Sequence, residues 1–161
     1  MFLHQGHCVS LFVVKKKFIR VLPDYGKIQL QRILGCLAEA KVESDDSHDS
    51  IHYLPLDKIS RKSLVIVVSP MDTNDLSFYR RLRAFGFQVL LVCPDTLDFV
   101  SKTMGNEKGT LLALRAGMLE RRLNLNLISQ LFVSVIDWKT REPLLPKIRN
   151  ALRRPMKIRK M

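Results

Sequence analysis

Leu64-Val65-Ile66-Val67-Val68-Ser69 opens with five apolar residues in succession, four of them β-branched. Polar residues do not alternate with the apolar ones, so the strand it predicts has both faces covered and belongs inside a sheet packed on two sides. Gln88-Val89-Leu90-Leu91-Val92-Cys93 repeats the pattern and stops at Pro94. Between the two runs, Thr73 and Asp75 offer a helix start, and Leu76, Tyr79, Leu82 and Phe85 fall on one stripe. Gly86 then stands where a C′ glycine ends a helix. Strand, helix and buried strand in that order make the repeating unit of a parallel sheet joined by right-handed crossovers.

Working outward, residues 131–136 read as another strand, and 111–127 before it as a helix with Leu111, Leu114, Met118 and Leu125 towards a core. Pro143 suits the first turn of a last helix carrying Leu144, Leu145, Ile148 and Leu152. On the amino-terminal side, the apolar runs 8–14 and 18–22 flank Lys15-Lys16-Lys17, which predicts an antiparallel hairpin stopped by Pro23-Asp24-Tyr25-Gly26. Residues 27–40 follow as a helix, with Leu30, Ile33, Leu34 and Leu37 inward and Gln and Lys opposite. The acidic stretch 42–50 reads as a surface loop, residues 51–59 as a short helical or turn segment around Pro55, and 96–109 as irregular. The order β-β-α-β-α-β-α-β-α predicts one α/β domain over residues 1–154, with a mostly parallel sheet, one antiparallel hairpin and a basic flexible tail at 155–161.

Composition fits that reading: 161 residues, 47% apolar and 26% charged, describe a globular chain. No apolar run approaches the roughly 18 residues that span a bilayer, and the first residues lack the apolar core of a secretory signal. A soluble, cytoplasmic protein is the expectation. Lys and Arg number 27 against 15 Asp and Glu, a net charge of +12. Residues 147–161 supply seven basic residues and no acid, which makes Arg153, Arg154, Lys157, Arg159 and Lys160 candidate contacts to an anionic surface. The acids concentrate instead at Glu39, Glu43, Asp45, Asp46, Asp49 and Asp57. Cys8, Cys36 and Cys93 lie far apart in apolar sequence and form no Cys-x-x-Cys, which predicts buried free thiols in a reducing compartment.

Catalytic chemistry finds little support. His48 and His52 share a face if 47–54 is helical, a spacing that can hold zinc, but no motif places a third ligand and Pro55 keeps any helix short; solvated loop histidines are the better reading. Ser69 ends a strand as a nucleophile might, yet Pro70 follows it and Gly-x-Ser-x-Gly is absent. No Gly-rich phosphate loop follows any strand. No catalytic, cofactor-binding or metal-binding residue is therefore assigned, and no cofactor is expected. Asp137 and Trp138 follow the last strand, at the carboxyl edge where α/β sheets place ligands. Trp138, the single tryptophan, reads either as packing for the last helix or as a partner-facing anchor, and Asp137 as a cap for the following turn.

Several stretches resemble one prokaryotic group of the von Willebrand factor A-like fold, the family known as domain of unknown function 58. They are Gly6-His7-Cys8-Val9-Ser10-Leu11, Tyr25-Gly26-Lys27-Ile28-Gln29-Leu30-Gln31-Arg32-Ile33-Leu34 and Val67-Val68-Ser69-Pro70. Ala113-Leu114-Arg115-Ala116 with Leu119-Glu120-Arg121, Val135-Ile136-Asp137-Trp138 and Glu142-Pro143-Leu144 complete the set. The similarity runs over residues 6–152. It implies a Rossmann-like three-layer sandwich lacking its first central strand and helix, with Met1 an internal start in a longer reading frame. A sheet with the hairpin rearranged beside 64–69, or a complementary chain that supplies the strand, is the alternative. The family's metal-binding Asp-x-Ser-x-Ser is missing; Asp45-Asp46-Ser47-His48-Asp49 matches it only superficially, in an acidic loop with no strand before it. Pro70 stands where a second ligand would follow Ser69, with Asp72 beyond, so a metal site is not expected.

The resemblance implies a non-enzymatic interaction module working with a MoxR-type AAA+ ATPase, near a membrane, with Ser69, Asp72, Asp137 and Trp138 as partner-facing candidates. It also leaves an exposed sheet edge at 64–69 through which a missing segment or a second copy would pair. The other reading is a basic α/β nucleic-acid-binding protein that uses the carboxyl-terminal Lys/Arg tail.

Overall fold

The computed structural model describes residues 1–14, 19–40, 54–70, 75–97, 108–139 and 141–153. The acidic loop with Asp45, His48 and His52, the hairpin tip at Lys15-Lys16-Lys17, Asp72, and Arg154, Lys157, Arg159 and Lys160 lie outside the described residues. The fold is α/β: a three-stranded parallel sheet plus an antiparallel hairpin, in the element order expected from the sequence. The chain divides into two compact units, Met1–Leu54 and Pro55–Met161.

In the first unit, β1 (Val9–Val13) pairs antiparallel with β2 (Ile19–Asp24), and α1 (Gly26–Glu39) follows. Phe12 lies opposite Arg20, whose guanidinium sits 5.3 Å from the ring centroid. The strand does not stop before Pro23, as expected, but continues through Pro23 to Asp24. The register explains why: Leu11 faces Val21 and Val9 faces Asp24, so β2 carries an extra residue here, and a bulge is where a strand tolerates proline.

The inward face of α1 also differs from the reading by period. Leu34 and Leu37 are exposed, whereas Gln29 is fully buried and Leu30, Ile33 and Cys36 are half-buried. Gln29 Nε2 donates to the carbonyls of both Val9 and Leu22, each at 2.7 Å. These two carbonyls flank the bulge. The helix face is therefore chosen by the donors the bulged ladder needs, as well as by apolar burial.

In the second unit, β3 (Leu64–Val68), β4 (Gln88–Pro94) and β5 (Ser134–Trp138) form a parallel sheet in the order β3-β4-β5. The middle strand is β4, with Val89 through Cys93 all buried. β3, read from its continuous apolar run as an inner strand, is an edge strand among the described residues, and its Val68 is 67% exposed.

Successive β4 residues face opposite sides of the sheet. Leu90 and Val92 join Ile136 in a cluster packed by Leu144, Ile148, Ala151 and Leu152 of α4 (Leu144–Arg153). Cys93 points to the other side, where Arg121 of α3 (Lys108–Gln130) meets it. The helix α2 (Leu76–Ala84) contributes buried Phe78, Tyr79 and Leu82. It ends as expected at Gly86 (φ +85°), where Phe87 N–H bonds to the Leu82 carbonyl and Gly86 N–H to that of Arg83, the paired closure of a glycine-terminated helix.

α3 runs to Gln130, beyond the expected end at 127. Leu111 and Met118, expected in the core, are exposed at 43% and 49%. The inward stripe is instead Leu114, Gly117, Arg121, Leu125 and Ile128, with Ile128 fully buried. Gly117 permits this: a Cβ there would touch the Leu97 side chain at 3.4 Å.

Candidate functional site at the carboxyl edge of the parallel sheet

Parallel strands point their carboxyl ends to one edge, the edge where α/β sheets place ligands. Ser69 follows β3, Cys93 and Asp95 lie at and just beyond the end of β4, and Asp137 and Trp138 end β5. The edge is tied by backbone bonds from Ser69 N–H to the Val92 carbonyl and from Asp95 N–H to the Trp138 carbonyl.

Arg121 reaches into this edge from α3. Its Nη1 donates to Cys93 Sγ at 3.0 Å, and its Nη2 to the Cys93 carbonyl at 3.1 Å and to Asp137 Oδ1 at 2.5 Å. Nε lies 3.9 Å from Asp95 Oδ1. The Arg121 side chain is only 12% exposed while Asp137 is 53% exposed. Burial works against the guanidinium charge, but the bond to Asp137 and the Cys93 thiol outweigh it, and its pKa is raised.

The Cys93 thiol in turn donates to the Pro70 carbonyl at 3.3 Å, linking β4 to the end of the β3 segment. Burial pushes that thiol up despite Arg121, which alone would lower it. Cys93 is thus held as a neutral thiol, a hydrogen-bonded structural group and a poor nucleophile.

Beyond this buried link lies an outer rim. Trp138 Nε1 donates to the Glu142 carbonyl at 2.8 Å, closing the turn after β5, and the ring is half-buried against the α4 cluster. Lys147 of α4 pairs with the Glu142 carboxylate and reaches the Asp137 carbonyl at 3.4 Å. The structure thus brings Asp137 and Trp138 together with Ser69 at one edge. The Asp137 carboxylate, expected to cap the following turn, accepts a hydrogen bond from Arg121. Arg153 is exposed on α4, away from the cluster that this helix packs with Leu144, Ile148, Ala151 and Leu152.

Arg121 was not picked out from the sequence, although it lies four residues before Leu125 and seven after Leu114, on the same helical stripe. An arginine on an inward stripe beside a strand that ends in Asp is the signal that marks it. Among the described residues, no group of three His, Cys, Asp or Glu side chains stands close enough to hold a metal, and no helix is long and apolar enough to cross a membrane.

The expectation of three buried thiols is corrected by the same geometry: Cys8 is exposed, Cys36 is half-buried and only Cys93 is fully buried. Cys8 begins the hairpin outside the ladder, beside the exposed Tyr25 hydroxyl, and its hydrogen bond there raises the pKa of that phenol. In a thiol-labelling time course without denaturant, Cys8 is expected to react first and Cys93 only on unfolding. Equal rates at Cys8 and Cys93 would contradict the placement of Cys93.

Tyr79 is fully buried, and its hydroxyl has no hydrogen-bond partner among the described residues. Burial, then the charges of Asp75 and Cys93, raise its pKa far above the ordinary value. The unfolded chain releases a tyrosine proton near pH ~10 while the folded chain retains it. The stabilisation is therefore full below that pH and is lost as pH rises from there through the raised folded-state value. Tyr79→Phe is expected to flatten this alkaline loss in urea titrations. At neutral pH it is expected to stabilise by about 1 kcal/mol, since it removes an unsatisfied buried group. Alkaline unfolding unchanged by the substitution would count against this account.

No protein-family model matches this chain, and no curated protein or solved structure matches it either.

Proposed function

We propose that the chain is a non-enzymatic interaction module that presents the carboxyl edge of its parallel sheet to a protein partner. The observation that carries this reading is the anchoring of Arg121, which gives three hydrogen bonds, to the Cys93 thiol, the Cys93 carbonyl and the Asp137 carboxylate, with Asp95 alongside. A guanidinium so engaged is spent on fixing the edge, and it leaves the half-exposed Asp137 carboxylate and the Trp138 ring in set positions. Preset aromatic and charged groups suit recognition, because little ordering remains to be done on binding.

The resemblance to the von Willebrand factor A-like family known as domain of unknown function 58 supports the same reading and suggests the partner, a MoxR-type AAA+ ATPase. Trp138 is the single tryptophan, so a fluorinated tryptophan reports on this edge alone. Titration with a purified MoxR-type ATPase is expected to shift and broaden its fluorine resonance, and Asp137→Lys to abolish the effect. A resonance unmoved at saturating partner concentration would overturn the assignment of this edge.

A further inference from the structure

The positive charge of the chain is not spread evenly over its two compact units. Residues 55–161 hold twenty Lys and Arg against nine Asp and Glu, so eleven of the twelve excess positive charges belong to the second unit. The first is close to neutral and cannot offset them. Within the second unit the signs separate along the strands. Asp75 before α2, Asp95 after β4, Asp137 in β5 and Glu142 before α4 all lie towards the carboxyl edge, where Arg121 and Lys147 meet three of them.

At the opposite edge, where the strands begin, bases prevail. Each crossover helix returns the chain to that edge, and neither α2 nor α4 contains an acid. The last turn of α2 carries Arg83, whose Nη1 donates at 2.7 Å to the carbonyl of Phe87, the residue before β4. The last turn of α4 carries Arg153, and its Leu152 packs in the same cluster as Leu64, which starts β3. Arg61 and Lys62, both exposed, lead into that strand; Asp57, the one acid on this approach, adjoins Lys58. On α4 the packed stripe of Leu144, Ile148, Ala151 and Leu152 turns Arg149 and Arg153 outward, and both are exposed. Phe132 stands two residues before β5 at φ +60°, a backbone that bulky residues rarely hold, and is 42% exposed.

We propose that this amino edge binds single-stranded nucleic acid, with Arg61, Lys62, Arg149 and Arg153 on the phosphates and Phe132 stacked on a base. The charge selects the class of partner: an excess of +12 attracts a polyanion and repels a second copy. A lipid surface is met by inserting an apolar helix face, and that of α4 is occupied by its own sheet. Guanidinium groups fit phosphate with two parallel bonds, and an exposed ring on the same edge suits unpaired bases, whose faces are open to stacking. Residues 154–161 add Arg154, Lys157, Arg159 and Lys160 and no acid directly after α4. This inference stands apart from the proposed protein partner, which is assigned to the other end of the strands.

The test is the fluorescence anisotropy of a labelled, unstructured DNA single strand titrated with the full chain. Affinity is expected to fall roughly fiftyfold between about 50 and 200 mM salt, the slope of about four phosphate contacts at about 0.7 each. Arg149→Glu with Arg153→Glu should weaken binding by about tenfold or more and lower that slope by about 1.4. Lys139→Glu with Arg141→Glu changes the net charge equally at exposed sites by the carboxyl edge, and should shift affinity by less than about threefold. Phe132→Asn supplies a residue that tolerates positive φ and removes the ring, so it should weaken binding by about fivefold or more at an unchanged slope. That loss should vanish on the same strand annealed to its complement, whose bases are stacked on one another. The charge variants replace exposed residues and should melt near the parent's temperature. No binding at the lower salt overturns the proposal. So does an equal loss from the two charge reversals, which is attraction by net charge alone, or a Phe132→Asn variant that binds as the parent does. Vesicles of phosphatidylserine and phosphatidylcholine that bind more tightly than the strand at the same salt, and respond to the same variants, would assign the surface to a membrane and overturn it too.

Discussion

Arg121→Met is expected to destabilise the parallel-sheet unit by about 2–4 kcal/mol, a large share of the 5–15 kcal/mol that typically holds a domain together. The methionine keeps most of the aliphatic stem, so the loss isolates the guanidinium and not its packing. Three bonds disappear together: to the Cys93 thiol, the Cys93 carbonyl and the Asp137 carboxylate. The pair with Asp137 is half in water and contributes less than its geometry suggests. The larger cost falls at Cys93, which is fully buried and has no water to replace the donor. In a chain of this length the melting temperature should drop by roughly 5–10 °C.

A double-mutant cycle separates the parts. Asp137→Asn alone should cost well under half as much, and little further in the Arg121→Met background, since its main partner is already gone. Arg121→Lys should not rescue, because a single ammonium cannot reach thiol, carbonyl and carboxylate as the planar fork does. Measured by urea unfolding, a loss below about 0.5 kcal/mol for Arg121→Met, the range of ordinary surface changes, would show that the link is incidental.

The order of strands and helices was legible because each element carried its own punctuation. Gly86 is the clearest case: a glycine just past an amphipathic stripe marks the end of α2, and the structure closes the helix there. α3 has no such mark. Its end is closed at Phe132, a non-glycine residue at φ +60°, so nothing in the residue types announced that the helix runs on to Gln130. The apolar run alone did not decide where β3 lies in the sheet. A continuous apolar run signals burial on both faces, but whether a strand is central or at an edge depends on which strands flank it, which its own residues do not encode. β3 and β4 look equally apolar in sequence, yet only β4 has a neighbour on each side among the described residues.

The polar links were the least legible. A hydrophobic period assigns Gln and Arg outward, and both Gln29 and Arg121 point inward. Each is placed by carbonyls that no side-chain pattern reports: those of Val9 and Leu22 at the bulge, and that of Cys93 at the sheet edge. Asp137 and Trp138 were singled out because strand ends are generic ligand positions. The arginine that fixes them required the helix phase to be right.

The second large effect is expected at Gln29, where the kind of substitution decides the outcome. Both amide hydrogens are used, on the Val9 and Leu22 carbonyls at 2.7 Å, and Oε1 is buried with no partner among the described residues. Gln29 therefore acts as a double donor. Gln29→Met preserves length and shape but leaves two carbonyls beneath the helix without a donor, at about 1–3 kcal/mol each. Protection of the β1 and β2 amides against exchange should fall accordingly. Gln29→Glu should be worse near neutral pH, since a carboxylate donates nothing and would face two carbonyl oxygens in a buried place.

That environment raises the folded-state pKa of the new acid above the ordinary glutamate value of about 4.3. Protonation restores one donor, so the variant's stability should be greatest below that value and be lost as pH rises through the raised pKa. The parent chain should show no such gain on acidification. A Gln29→Glu variant that tracks the parent between pH ~4 and pH ~7 would mean that water, and not the amide, satisfies the bulge.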